Sequence, residues 1–346
     1  MNDQKLLLWV KRYLKNKVNV LRSIWLGVLA AFFFAFTFVL NRSMERSGGS
    51  WIWSASLRYV FMVPILLVIV ISQHKLKPLW EVMKERPETW LLWSFIGFGL
   101  FYAPLCFASA YSPGWLIAGT WQITIISGSL LVPLFTEVVQ TENGPVKVRG
   151  KIPIQGLMMS LIILVGILLM QVRQAQSIST QDFLFGFLPV IIASFAYPLG
   201  NRKMMEVCAG RLDAYQRVLG MTLASLPFWL LLSLYGVFSA GMPSMDQTIQ
   251  SALVAVFSGV IATVLFFKAT DEVRGNMQKL ATVEATQSLE VLFALMGELI
   301  FLSIPIPSLL SWLGMFVVIL GMVLHSYVTH DKKTDHRLVS KKIDTV

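Results

Sequence analysis

The chain has 346 residues, of which 55% are hydrophobic and only 14% charged, and its formal net charge at pH 7 is +10. This composition belongs to a polytopic membrane protein and excludes an ordinary soluble globule. The positive charge follows from membrane topology and attraction to anionic lipid, and it implies no nucleic-acid partner.

A helix needs about 20 apolar residues to cross the roughly 30 Å hydrocarbon core. Residues 1–23 form a basic segment, within which 5–18 read either as a short interfacial helix or as a basic tail. Apolar segments follow at 24–40, 51–72, 90–111, 115–137 and 152–172, then at 183–200, 215–238, 249–268, 280–303 and 309–328. Residues 329–346 form a basic tail. Nothing alternates with period two, so helices are expected rather than a barrel. The expected fold class is an all-α membrane protein with ten transmembrane helices. The first segment lacks a convincing small-residue cleavage site and is expected to be retained.

The segments repeat. Asn41-Arg42 ends the first and Asn201-Arg202 the sixth; Arg58 pairs with Arg217, Phe107 with Phe267 and Glu137 with Glu298, at offsets of 159 to 161 residues. Two five-helix repeats are therefore expected, at 24–172 and 183–328. The two terminal segments and the connections on their side carry 23 Lys and Arg, against three in the connections on the other. The positive-inside rule then places both termini in the cytoplasm. Gly114, Pro243 and Pro307 fall outside, and Lys84, Lys151 and Cys208 inside. An odd number of helices per repeat inverts the second relative to the first, the layout that secondary transporters use.

Other chemistry is sparse. Cys106 and Cys208 are not expected to pair. There is no phosphate-binding Gly-rich loop, no clustered His, Asp and Cys metal set and no room for a soluble catalytic domain, so neither cofactor nor enzymatic activity is expected. The polar residues of the ninth segment stand out. Glu284, Gln287, Glu290 and Glu298 fall on a stripe about 120° wide. Glu290 lies roughly 15 Å from the cytoplasmic boundary, near the midplane. A carboxyl there can exchange a proton or pair with a substrate cation; the alternative is a structural Glu bonded to a neighbouring helix. Glu284 and Glu298 read as boundary residues that cap a helix or snorkel. In the fourth segment, Trp121, Gln122 and Ser127 offer substrate contacts or interhelical hydrogen bonds, and Glu137 is placed at its cytoplasmic end. Thr37, with the phenylalanines around it, and Tyr197 in the sixth segment would add to an aromatic cavity. Arg58 and Arg217 read as tying helix ends to carbonyls, or as an anion site.

Ten segments in two inverted repeats, with basic cytoplasmic termini, resemble the drug/metabolite transporter superfamily, above all its multidrug-resistance efflux branch. Phe36-Thr37-Phe38-Val39-Leu40-Asn41-Arg42 is similar to the end of that superfamily's first helix. Leu289-Glu290-Val291-Leu292-Phe293-Ala294-Leu295 resembles its Glu-Pro-Val-Phe-Ala-Ala-Leu segment, with Val291 where the family has Pro. Gly314 to Gly321 is similar to its final-helix glycine pattern, while the family's Leu-Gly-Glu ending is absent near Ser303. The resemblance implies proton-coupled export of lipophilic or cationic drugs across the inner cell membrane, by a monomer or homodimer. An exporter of amino acids or other small metabolites is the alternative. A lipid-acting enzyme or a receptor does not need the duplication.

Overall fold

The computed structural model describes residues 3–141, 144–152, 154–177, 179–274 and 277–324. Eight of the predicted segments are unbroken helices: α1 (Asp3–Arg46), α2 (Trp51–Ser72), α4 (Pro87–Ser109), α7 (Ile154–Ser177), α8 (Thr180–Cys208), α9 (Ala214–Ala240), α10 (Met245–Glu272) and α13 (Leu309–Leu324). Among the described residues, six of them are long and apolar enough to cross a membrane, and α7 and α13 hold shorter apolar stretches at Leu157–Val172 and Leu309–Leu324. A short amphipathic helix, α3 (Leu76–Glu85), turns Leu79 and Val82 inward and leaves Trp80 exposed.

The remaining two segments, the fourth and the ninth, are interrupted. The fourth runs as α5 (Gly114–Trp121) and α6 (Ile123–Leu130), and the ninth as α11 (Met277–Ala285), a 3₁₀ turn over Thr286–Leu289 and α12 (Glu290–Phe301). One expectation therefore needs correcting: the fourth segment does not continue as helix to 137. The described chain is helical but for one short hairpin. After Leu134 the chain enters an antiparallel hairpin of β1 (Thr136–Thr141) and β2 (Gly144–Arg149), with Glu137 opposite Val148. Nor do Asn41-Arg42 and Asn201-Arg202 end their helices. Both pairs lie inside α1 and α8, where Asn41 donates to the Tyr102 hydroxyl at 3.2 Å and to the Cys106 sulfur at 3.3 Å. Cys208 is the buried last residue of α8, not a loop residue, and both cysteines are free.

Helices exchange partners between the halves of the chain. α1 packs on α10 and on the interrupted ninth segment, whereas α8 packs on α4 and the interrupted fourth. α5 packs directly against α12. The third and eighth segments each contain a π-helical stretch, Phe95–Gly99 and Ala255–Ala262, beginning 160 residues apart. Glycines permit the closest crossings: a side chain at Gly166 would meet the Gly314 carbonyl at 2.6 Å, and one at Gly314 the Gly166 carbonyl at 2.6 Å.

The connections rich in Lys and Arg gather at one end of the bundle. There Arg22 pairs with Glu272 at 3.3 Å, Lys75 with Asp213 at 2.6 Å and Arg211 with Glu85 at 2.7 Å. At the opposite end Arg46 donates to the Leu302 carbonyl and the Trp53 indole to the Gly241 carbonyl, each at 2.8 Å.

Candidate functional site

Hydroxyl side chains open the ninth segment. Thr286 donates to the Val283 carbonyl at 2.6 Å and Ser288 to the Ala285 carbonyl at 2.9 Å, each competing locally with backbone amides. The fourth segment breaks at Gln122, whose amide donates to the Ala118 carbonyl at 2.8 Å and across to the Gln287 carbonyl at 3.2 Å. The two interruptions thus meet at mid-bundle.

Beside this crossing lies a cavity lined by Phe34, Thr37 and Phe38 of α1, Phe101 and Leu105 of α4, Trp121, Tyr197, Gln287 and Glu290. It is narrow, with room for about one water molecule. Three of its rings form a cluster: Phe101 lies 4.5 Å from Tyr197 and 5.0 Å from Trp121, and those two are 5.6 Å apart by centroid. Glu290 is 1% exposed, and among the described residues its carboxyl makes no hydrogen bond and no ion pair. The Tyr197 hydroxyl is buried and likewise has no partner. Thr37 donates to the Ser258 hydroxyl in the π-helical stretch of α10.

Five of the seven predicted contact residues therefore share the cavity: Thr37, Trp121, Tyr197, Gln287 and Glu290. Gln122 and Ser127 do not reach it. Gln122 ties the two interruptions together, and Ser127 donates to the Ile123 carbonyl at 3.0 Å and lies 3.3 Å from the Ser194 hydroxyl. Phe101 and Leu105 were missed, because nothing in an apolar stretch distinguishes a cavity-facing ring from a packed or lipid-facing one.

Glu284 and Glu298 do not snorkel; both are buried, and Glu298 caps the start of α5. Arg202 grips Glu284 through two nitrogens, Nε to Oε1 at 3.0 Å and Nη2 to Oε2 at 2.6 Å. Its third nitrogen donates to the Gly128 carbonyl at 2.6 Å. Glu298 accepts from the backbone amides of Gly114 at 2.8 Å and Trp115 at 3.3 Å. The arginines paired by sequence also diverge. Arg217 reaches Asp271 at 2.5 Å and the Phe267 carbonyl at 3.4 Å, whereas Arg58 ties no carbonyl among the described residues and lies 4.0 Å over the Tyr102 ring. Among the described residues no three His, Cys, Asp or Glu side chains could hold a metal ion together.

The family model described as "EmrE: Putative multidrug resistance efflux transporter" matches residues 21–331, and the chain belongs to this family. It is 58% identical over 313 residues to "Uncharacterized protein YjlA" of Bacillus subtilis (strain 168), covering 90% of this chain and 97% of that protein. It is 51% identical over 269 residues to an "Uncharacterized 42.1 kDa protein in intracellular alkaline protease 3'region" of Shouchella clausii, covering 78% of this chain and 70% of that one. A solved crystal structure with a TM-score of 0.61 covers 89% of this chain and 97% of its own; at 11% identity the likeness is one of fold alone. Membership identifies the chain as a membrane transporter, and its multi-pass helices agree with that.

Proposed function

We propose that this transporter is a secondary exporter that ejects lipophilic, cationic small molecules across the cell membrane in exchange for protons, with Glu290 as the group that either one occupies. The observation that carries this reading is the isolation of Glu290. It is the one carboxyl among the residues lining the cavity, and no cation or donor of the described chain meets it. A bare carboxylate in such surroundings is costly, so it is held either by a proton or by a guest cation. The two exclude each other, which is the minimum required for exchange. The surrounding Phe101, Trp121 and Tyr197 rings suit the same guest, since aromatic faces attract cations and cover apolar surface.

Two inverted repeats, at 24–172 and 183–328, would supply the alternating access that exchange requires. The matching π-helical stretches, the interruption of both the fourth and the ninth segments, and the mutual exchange of packing partners by α1 and α8 support this arrangement. The gathering of basic connections at one end supports a cytoplasmic location for that end and for both termini.

The test is uptake by proteoliposomes under an imposed pH gradient, with organic cations, amino acids and nucleobases as candidate substrates. The parent protein should exchange organic cations for protons. Glu290→Gln, which mimics the protonated state, should remain folded, lose gradient-driven transport and no longer release protons on substrate addition. Gradient-driven transport of a cation by Glu290→Gln at the parent rate would make Glu290 structural.

A further inference from the structure

The carboxylates on either side of Glu290 are held by different chemistry. Glu284 precedes Glu290 by six residues and Glu298 follows it by eight. At about 1.5 Å per residue these sit roughly 9 Å toward the basic end and 12 Å toward the opposite end. Each holds the fourth segment. Toward the basic end, Arg202 is clasped by both oxygens of Glu284 while its remaining nitrogen binds the Gly128 carbonyl on α6. The side chains are 1% and 8% exposed, and a side chain at Gly128 would meet Glu284 Oε2 at 2.8 Å, so the joint is dry and closely fitted. Toward the opposite end, Glu298 binds only the two amides at the start of α5. Arg42, the counterpart of Arg202 by sequence repetition, lies near Glu298 but makes no ion pair with it; it donates instead to the Ser109 carbonyl at 2.9 Å.

We infer that the Arg202–Glu284–Gly128 clasp is the gate between the central cavity and the basic end of the bundle, and that its closure sets the resting conformation. The inference rests on the reading of the cavity as a transport site. α6, α8 and α11 cannot part below the cavity while Arg202 bridges them, so admitting a guest from the basic end separates Arg202 from Glu284 or from Gly128. The other end is released by freeing the Gly114 and Trp115 amides, with no ion pair to break. The molecule therefore rests closed at the basic end, and charge neutralisation in the clasp shifts the population toward opening there.

The experiment places a cysteine at Thr37, inside the cavity, and labels it with an impermeant thiol reagent applied to either face of sealed vesicles, read by peptide mapping. Lys84→Cys reports which face carries the basic end. Arg202→Gln with Glu284→Gln removes both charges together, so that neither is left alone in the core. This double variant should raise Thr37→Cys labelling from the basic end about tenfold or more and leave labelling from the other face unchanged or lower. The charge exchange Arg202→Glu with Glu284→Arg serves as a second variant; if it re-forms the pair, labelling should return toward that of the parent. If the folded double-Gln protein is labelled like the parent from the basic end, the gate is elsewhere. No labelling of Thr37→Cys from either face, in any variant or with any guest, would instead overturn the central cavity as a transport site.

Discussion

Helix α5 is capped from a distance, and removing the cap should be expensive. Pro113 precedes the helix and contributes no side-chain acceptor, so the amides of Gly114 and Trp115 depend on Glu298, 184 residues further on. A hydrogen bond to a charged acceptor contributes about 1.5–3 kcal/mol, the 3.3 Å contact less than the 2.8 Å one. A negative charge at a helix N-terminus adds up to about 2 kcal/mol in a partly buried setting. Glu298→Ala should therefore destabilise the protein by about 3–5 kcal/mol, whereas Glu298→Gln, which keeps one neutral acceptor oxygen, should lose about half of that. Reversible unfolding in mixed micelles, followed by tryptophan fluorescence, gives the totals. Hydrogen exchange at Gly114 and Trp115 locates the effect, since these amides should become the least protected of α5. A loss below about 1 kcal/mol for Glu298→Ala, or exchange that is unchanged at both amides, would refute the capping argument.

Breaking the buried pair one side at a time should be worse than removing it whole: Glu284→Gln should lose about 3–5 kcal/mol by stranding Arg202, while the double variant with Arg202→Gln should lose much less, a non-additivity measured by the same unfolding assay. Gly166→Ala should force α7 and α13 apart at the Gly314 carbonyl, costing about 1–3 kcal/mol in that assay. For topology, single cysteines replacing Lys84 or Lys151 should be shielded from an impermeant reagent in intact cells, and those replacing Pro243 or Pro307 should react. Gly114 is unsuitable for that test, because a side chain there would meet the Phe38 carbonyl at 2.6 Å.

Apolar length was enough to locate the six helices that are long and apolar enough to cross a membrane, because burial in lipid acts on composition rather than on particular contacts. The cavity was partly legible for the same reason: Glu290, Gln287 and Tyr197 are polar atoms in apolar sequence, and such atoms face inward. The interruptions were not legible, since neither Gln122 nor Thr286-Gln287-Ser288 contains the Pro or Gly that usually announces a break. They arise when hydroxyl and amide side chains bond to nearby carbonyls, as Thr286 does to Val283. The clasp of Arg202 on Glu284 joins residues 82 positions apart in sequence, and no periodicity encodes it. Only the repetition of Asn-Arg hinted that Arg202 had a task. The hairpin did leave a signal: Thr136, Val138, Val139 and Thr141 precede Asn143-Gly144, with Val146 and Val148 beyond, a hairpin pattern set against an apolar stretch that reads as helix.

The remote cap on α5 also has a consequence for biogenesis. Glu298 is synthesised 184 residues after Gly114, and at about 5–20 residues per second the ribosome needs roughly 10–40 s to deliver it. For that interval two amides at the start of α5 lack their native acceptor. Water at the membrane surface or the insertion machinery must supply another. The N-terminal half can insert early, but it cannot settle until α12 arrives. Truncations after the fifth segment are thus expected to yield inserted yet unfinished protein, prone to quality-control proteolysis, and co-expression of the C-terminal half as a separate chain should rescue it.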